Sequence, residues 1–107
     1  MSGVSFLAAL QEVVDRRMES GAGQSYTAKL ARQGVRRAAQ KLGEEGVELA
    51  LAAVDEESDR VTAEAADLLY HLIVVLRLRD VKIEDVVAEL ERRHAASART
   101  GEADKGL

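Results

Sequence analysis

Residues 35–79 read VRRAAQKLGEEGVELALAAV, then DEESD, then RVTAEAADLLYHLIVVLRLR, and the fold turns on this stretch. Apolar residues recur every three or four positions on both sides of the acidic turn Asp55-Glu56-Glu57-Ser58-Asp59, which is the period of an amphipathic helix. The spacing predicts one helix over 35–54, with Val35, Ala38, Ala39, Leu42, Leu49 and Ala53 inward. It predicts a second over 60–79, N-capped by Asp59. A connection this short makes the two helices antiparallel neighbours. The second is apolar around much of its circumference from Leu68 to Leu78, so it must be covered on more than one face.

That cover has to come from the flanks. Periodicity predicts a helix over 4–18, with Phe6, Leu7, Leu10, Val13, Val14 and Met18 on one face, ended by Ser20-Gly21-Ala22-Gly23. A short helix over 26–33 follows, capped by Ser25 and set off from the long helix by Gly34. A last helix runs over 83–96 with Ile83, Val86, Val87 and Leu90 inward. From Ser97 to Leu107 there is mixed charge and no period, and this reads as a flexible tail. The expected fold class is all-α: one domain over 1–96, built as an antiparallel helical hairpin with flanking helices. Two long helices make a thin bundle for 107 residues, and pairing with a second copy, a homodimer, would complete a four-helix core.

Composition narrows the function. The chain has 15 Lys and Arg against 19 Asp and Glu, a net charge of −4, and no Cys, Pro or Trp. Lack of Cys removes disulfide scaffolds, thiolate metal sites and Cys nucleophiles. Two Tyr and one Phe are too few for a base-stacking platform, and the acidic balance disfavours a phosphate-backbone clamp, so no nucleic-acid partner is expected. The apolar run Leu72 to Leu76 is far short of the roughly 20 residues that cross a bilayer. Met1 to Leu10 lacks a basic leader, and a cytoplasmic protein without a membrane partner is expected.

The chemistry concentrates on the hairpin. One helix carries Lys41-Leu42-Gly43-Glu44-Glu45-Gly46-Val47-Glu48, the other Glu64-Ala65-Ala66-Asp67. Each has an acidic pair at i and i+3, which places Glu45 with Glu48, and Glu64 with Asp67, on one face. A reversal near 56–58 puts Glu48 about level with Asp67, and Glu45 and Glu64 roughly a turn to either side. Packed helices are about 8–10 Å apart, so carboxylates from both can converge on one or two cations. An all-carboxylate site suits Mg²⁺ first and Mn²⁺ second. A di-iron bundle wants Glu-x-x-His on paired helices, and no His follows at those positions. The competing reading is a solvated acidic face.

Ser25-Tyr26-Thr27, the run Lys41 to Glu48, and Glu64-Ala65-Ala66-Asp67-Leu68-Leu69-Tyr70-His71-Leu72 resemble, in order and spacing, the phosphoribosyl-ATP pyrophosphohydrolases of histidine biosynthesis. More broadly they resemble the all-α, MazG-like nucleoside triphosphate pyrophosphohydrolases. The resemblance covers about Leu7 to Arg93. It implies Mg²⁺-dependent hydrolysis of phosphoribosyl-ATP to phosphoribosyl-AMP and pyrophosphate. It also implies that Glu45, Glu48, Glu64 and Asp67 bind the metal, and that Glu44 orients the attacking water or supports a ligand. Gly46 departs from the Ala more usual there and loosens the helix by roughly 1 kcal/mol.

Cleaving a phosphoanhydride needs charge neutralisation on phosphate oxygens and an activated water, which suits carboxylate-held Mg²⁺. Lys41 is the first candidate for holding phosphates, with Lys29, Arg32, Arg36 and Arg37 behind it. Ser25, Tyr26 and Thr27 either bind the nucleotide substrate or cap the short helix. His71, on the face of Asp67, either supports a ligand carboxylate or is a buried histidine satisfied by a partner. Tyr70 reads as core and His94 as surface. Two rival functions remain: a house-cleaning nucleoside triphosphate pyrophosphohydrolase of the same fold, and a non-enzymatic helical dimerisation module.

Overall fold

The computed structural model describes residues 3–20 and 25–100. A 3-10 turn, Gly3–Ser5, leads into α1 (Phe6–Ser20); α2 (Tyr26–Gln33), α3 (Val35–Asp55), α4 (Ser58–Leu78) and α5 (Ile83–Thr100) follow. The described residues contain no strand, as the all-α reading requires. The glycines at 21 and 23 and the tail beyond Thr100 lie outside the described residues.

Local chemistry sets the ends. Ser25 Oγ accepts the Ala28 backbone N–H at 3.0 Å, so α2 starts on a side-chain cap. Gly34, at φ 93°, both ends α2 and begins α3; a Cβ there would be strained whatever the space around it. α3 and α4 are joined by Glu56-Glu57 alone, with Glu57 at the N-cap position and Asp59 inside the first turn of α4. Asp59 therefore acts on the helix dipole and not as the cap expected of it. At the far end of α4, Val81 N–H bonds Leu76 C=O at 2.8 Å while Asp80 takes φ 59°, a left-handed close that a short polar side chain tolerates.

The hairpin packs along its length. On α3 the buried residues are Ala38, Glu45 and Ala52, and on α4 they include Glu64 and His71. Steps of seven are the signature of a coiled-coil-like helix–helix seam. The small side chains at Ala38 and Ala52 bring the backbones close. Ala53, expected inward, is exposed because the seam follows Ala52; Val35 and Ala39 are exposed as well.

Among the described residues, the main hydrophobic cluster lies at one end of the hairpin. Val14, Leu30, Ala38, Ile73 and Val74 are buried together, with Leu7, Leu10, Met18, Tyr70, Val75 and Leu78 against them. α1 and α2 thus cover the C-terminal half of α4 and the start of α3, as an all-round apolar α4 demands. Arg77 ties the packing down: its Nε donates to Asp15 at 2.7 Å and one NH to the Val81 carbonyl at 3.1 Å. α5 docks on α1, where Gln11 accepts the Ile83 N–H at 2.7 Å. Of its expected inward set only Ile83 is buried; Val87 and Leu90 stay exposed, as does Phe6 on α1. α5 continues to Thr100, four residues past the expected end at Ala96, and Ser97 is buried.

Among the described residues, the turn-proximal half of the hairpin has no such cover. Val47, Leu51 and Val54 are 59%, 63% and 81% exposed, and their spacing aligns them along one side of α3.

Candidate metal centre and active site

Glu45 occupies a seam position that packing alone would give to an apolar residue. It and Glu64 are both buried. Glu48 lies on the rim, exposed. One carboxylate oxygen from each of Glu45, Glu48 and Glu64 falls within 4.8 Å of the other two. Glu48 faces Glu64, about one turn from its expected level with Asp67. The reason is the turn: it closes on Glu56-Glu57, so the register between the helices moves toward earlier residues of α4. Asp67 is exposed and outside this group of three.

The electrostatics are those of a site short of positive charge. Glu45 Oε2 and Glu64 Oε2 are buried without a hydrogen-bond partner. Burying a polar atom unpaired costs on the order of 1–3 kcal/mol, more for a charged one. Lys41 Nζ stands 3.9 Å from Glu45 Oε1 and an Arg60 guanidinium nitrogen 3.4 Å from Glu64 Oε1. These cations approach the opposite oxygens and leave the orphaned pair free. Burial holds the Glu64 carboxyl above the usual carboxylate range, helped by the hydrogen bond it shares with Glu48 and by the charges of Glu48 and Asp67, against the lowering effect of Arg60. An oxygen-only donor set with two unsatisfied atoms fits a hard divalent cation.

His71 braces this arrangement. Its Nδ1 faces two acceptors, the Asp67 carbonyl oxygen at 2.9 Å and Glu45 Oε1 at 4.0 Å. Nδ1 therefore carries the proton, and Nε2 accepts the Tyr26 hydroxyl at 2.7 Å, an assignment made from the hydrogen-bond network. Thr27 Oγ1 bonds the Tyr70 hydroxyl one position along. Both rings meet His71 edge-on. All three hydroxyls of Ser25-Tyr26-Thr27 are thus used inside the chain: one caps α2 and two stitch it to α4.

The other sequence candidates scatter. Glu44 is exposed, its carboxylate accepting from Gln40 at 3.2 Å, and it stays outside the cluster. Lys29, Arg36 and Arg37 are exposed on α2 and the start of α3, and His94 is exposed on α5. Lys29, Arg37 and Lys41 border one cleft. Arg60 is the site neighbour that the sequence reading passed over. Its signal was present in the i, i+4 spacing to both Glu56 and Glu64, a pattern that brings opposite charges together on a helix.

The profile of the family described as phosphoribosyl-ATP pyrophosphohydrolase matches residues 7–94, a span that includes all of α2, α3 and α4. The phosphoribosyl-ATP pyrophosphatase of Rhizobium etli (strain CIAT 652) is 52% identical over 97 residues, covering 91% of this chain and 90% of the relative. That of Agrobacterium fabrum (strain C58 / ATCC 33970) is 48% identical over 99 residues, covering 92% and 90%. The histidine biosynthesis bifunctional protein HisIE of Xanthomonas axonopodis pv. citri (strain 306) is 53% identical over 89 residues, 83% of this chain but 43% of the relative. The chain belongs to the phosphoribosyl-ATP pyrophosphohydrolase family.

Proposed function

We propose that the protein hydrolyses phosphoribosyl-ATP to phosphoribosyl-AMP and pyrophosphate in histidine biosynthesis, in the cytoplasm, using a divalent cation held by Glu45, Glu48 and Glu64. The observation that carries this reading is the burial of two carboxylates in a helix seam with an oxygen of each left unpaired. A protein does not keep such a cost in a position where Ala would pack unless the group works. The phosphoribosyl-ATP pyrophosphatases among the relatives supply the substrate. Mg²⁺ is the first choice of ion and Mn²⁺ the second, by the hardness of the donors.

Bound there, the cation would neutralise charge on the phosphate oxygens and make water a better nucleophile. The chain's own contributions are positional. Glu45 is fixed between Lys41 and His71, and Glu64 is held by Arg60 and Glu48. Glu48, on the exposed rim, is the carboxylate that an incoming substrate meets first. Asp67 completes the acidic face from the next turn of α4 and is assigned as a fourth ligand. Lys41 offers a positive charge beside the ligands, where the developing charge on a phosphate oxygen needs one.

The test is pyrophosphate release from phosphoribosyl-ATP with Mg²⁺, with and without chelator, beside a panel of ordinary nucleoside triphosphates. Chelator-sensitive release confined to phosphoribosyl-ATP is the expected result. Release from the panel instead moves the protein to the house-cleaning class, and silence on every substrate leaves a helical module.

The active form is read as a homodimer. The stripe Val47, Leu51 and Val54 runs along the uncovered half of the hairpin beside the acids, and a second copy would bury it as a four-helix core. Sedimentation equilibrium should give twice the 11.6 kDa of the chain, and Leu51→Glu should shift the protein toward single chains. A wild-type protein that sediments as one chain at high micromolar concentration overturns the assignment.

A further inference from the structure

A cleft of about 160 Å³ opens beside the acidic centre, lined by Tyr26, Lys29, Leu30, Gln33, Arg37 and Lys41. Three of its six lining residues are cations and none is an acid, in a chain whose net charge is −4. Among the described residues, Lys29 and Arg37 have no ion-pair partner. Like charges gathered without a counter-charge repel, and the repulsion becomes attraction when an anion enters. Leu30 and the Tyr26 ring give the cleft an apolar wall. The Tyr26 hydroxyl is already committed to His71, which fixes that wall in place.

The cleft and the acidic centre lie in line. Arg37, Lys41 and Glu45 succeed one another at four-residue steps on one face of α3, so Arg37 lies about 12 Å from Glu45 along the axis. Lys41 borders the cleft while its Nζ stands 3.9 Å from Glu45. A ligand that reaches both sites must be an extended molecule with two separate anionic ends. Phosphoribosyl-ATP has that form: a triphosphate at one end, and at the other the phosphate monoester of the added ribosyl group, with adenosine between. The anhydride belongs with the cation at the carboxylates, and its leaving pyrophosphate stays beside it. The far end of the cleft, at Lys29 and Arg37, is left for the monoester.

We propose that Lys29 and Arg37, at the end of the cleft away from the acids, bind the phosphate monoester of the phosphoribosyl arm, and that this is where the site distinguishes phosphoribosyl-ATP from ATP. This rests on the reading that Glu45, Glu48 and Glu64 hold the metal at the anhydride. Lys29 and Arg37 act as specificity determinants, binding a group that does not react.

Titration calorimetry with phosphoribosyl-AMP tests it, because this ligand keeps the ribosyl monoester beside its AMP phosphate, lacks an anhydride and can be studied in chelator without turnover. Wild type should bind phosphoribosyl-AMP at least about tenfold more tightly than N1-ribosyl-AMP, which lacks only the ribosyl phosphate. Arg37→Ala should bring phosphoribosyl-AMP to the N1-ribosyl-AMP level, Arg37→Lys should retain part of the difference, and Glu48→Gln should leave it intact. Arg37 is exposed, and an unchanged circular dichroism spectrum checks that the variants fold. Equal binding of the two ligands by wild type, no detectable phosphoribosyl-AMP binding, or an Arg37→Ala protein that still discriminates would each overturn the proposal. An Arg37→Ala variant that loses affinity for pyrophosphate and not for the monoester overturns it too, by giving the cleft to the leaving group. Failure of the metal reading shows separately, as a Glu48→Gln enzyme with full chelator-sensitive turnover.

Discussion

Glu48→Gln should lower turnover of phosphoribosyl-ATP by at least about 100-fold while the protein stays folded. The substitution keeps shape and removes one charge and one good ligand oxygen. A metal ligand of this kind contributes several kcal/mol to charge stabilisation in the transition state, and each 1.36 kcal/mol is about tenfold in rate. Because Glu48 is exposed at the rim, no core packing is lost. A Gln at 48 can still hydrogen-bond Glu64 while the charge repulsion between the two is relieved, so the unfolding midpoint in chelator should equal or exceed that of wild type. Stopped assays for pyrophosphate, paired with thermal melts, separate the two effects. Glu44→Gln is the informative companion. Its carboxylate is turned to Gln40 and away from the cluster, so its loss should stay below about tenfold. A drop on the 10²–10⁴ scale of a general base would place Glu44 at the reacting water. A Glu48→Gln enzyme with wild-type turnover removes the metal assignment.

The hairpin was legible because both of its helices carry the same helical period up to a short acidic turn, and no other element could end there. Ser25 was legible as a cap for a similar reason: a hydroxyl before a helix-forming run has few other local uses. What the pattern could not give was depth. Ala52 and Ala53 are equivalent by residue type, and only the seven-residue step from Ala38 through Glu45 shows which one meets α4. Phe6, Val87 and Leu90 satisfy the amphipathic spacing, yet α5 docks chiefly on α1 and leaves part of each stripe uncovered. At the site, acid spacing indicated which residues share a face. It could not show that Glu45 and Glu64 are buried, since burial depends on the neighbouring helix. The predicted pairing of Glu48 with Asp67 assumed a reversal centred about one residue too far along. In an antiparallel pair each residue of shift in the turn moves the facing position by two, here from 67 to 65, which sets Glu48 beside Glu64 and not Asp67. The Tyr26–His71 and Thr27–Tyr70 bonds join segments more than forty positions apart in sequence, and no local pattern encodes them.

Mg²⁺ should raise the melting temperature of the wild-type protein by about 10 °C or more. The folded state gathers three carboxylates within 4.8 Å and leaves two buried oxygens unpaired; the unfolded chain does neither and holds no such site. A ligand that binds only the folded state at 100 times its dissociation constant stabilises it by about 2.7 kcal/mol. For a domain near this size each kcal/mol is roughly 4–8 °C. Glu64→Gln should melt higher than wild type in chelator, since it removes a buried charge, and should lose the Mg²⁺ response. The pH dependence follows from the same residue. Burial and the bond with Glu48 raise the folded-state pKa of Glu64, so the folded protein holds that proton more tightly than the unfolded chain. The resulting stabilisation is complete below the unfolded value and is lost as pH rises through the folded one. In chelator, the contribution of Glu64 to stability therefore falls as pH rises through that interval. The Mg²⁺-induced shift should grow over the same interval, because the cation and the proton compete for one carboxylate. Melts in buffers of constant ionic strength, with Na⁺ as the charge control, read this directly. Identical curves with Mg²⁺ and with chelator at pH 8 would reduce the cluster to surface charge and leave the fold as a helical module without a metal centre.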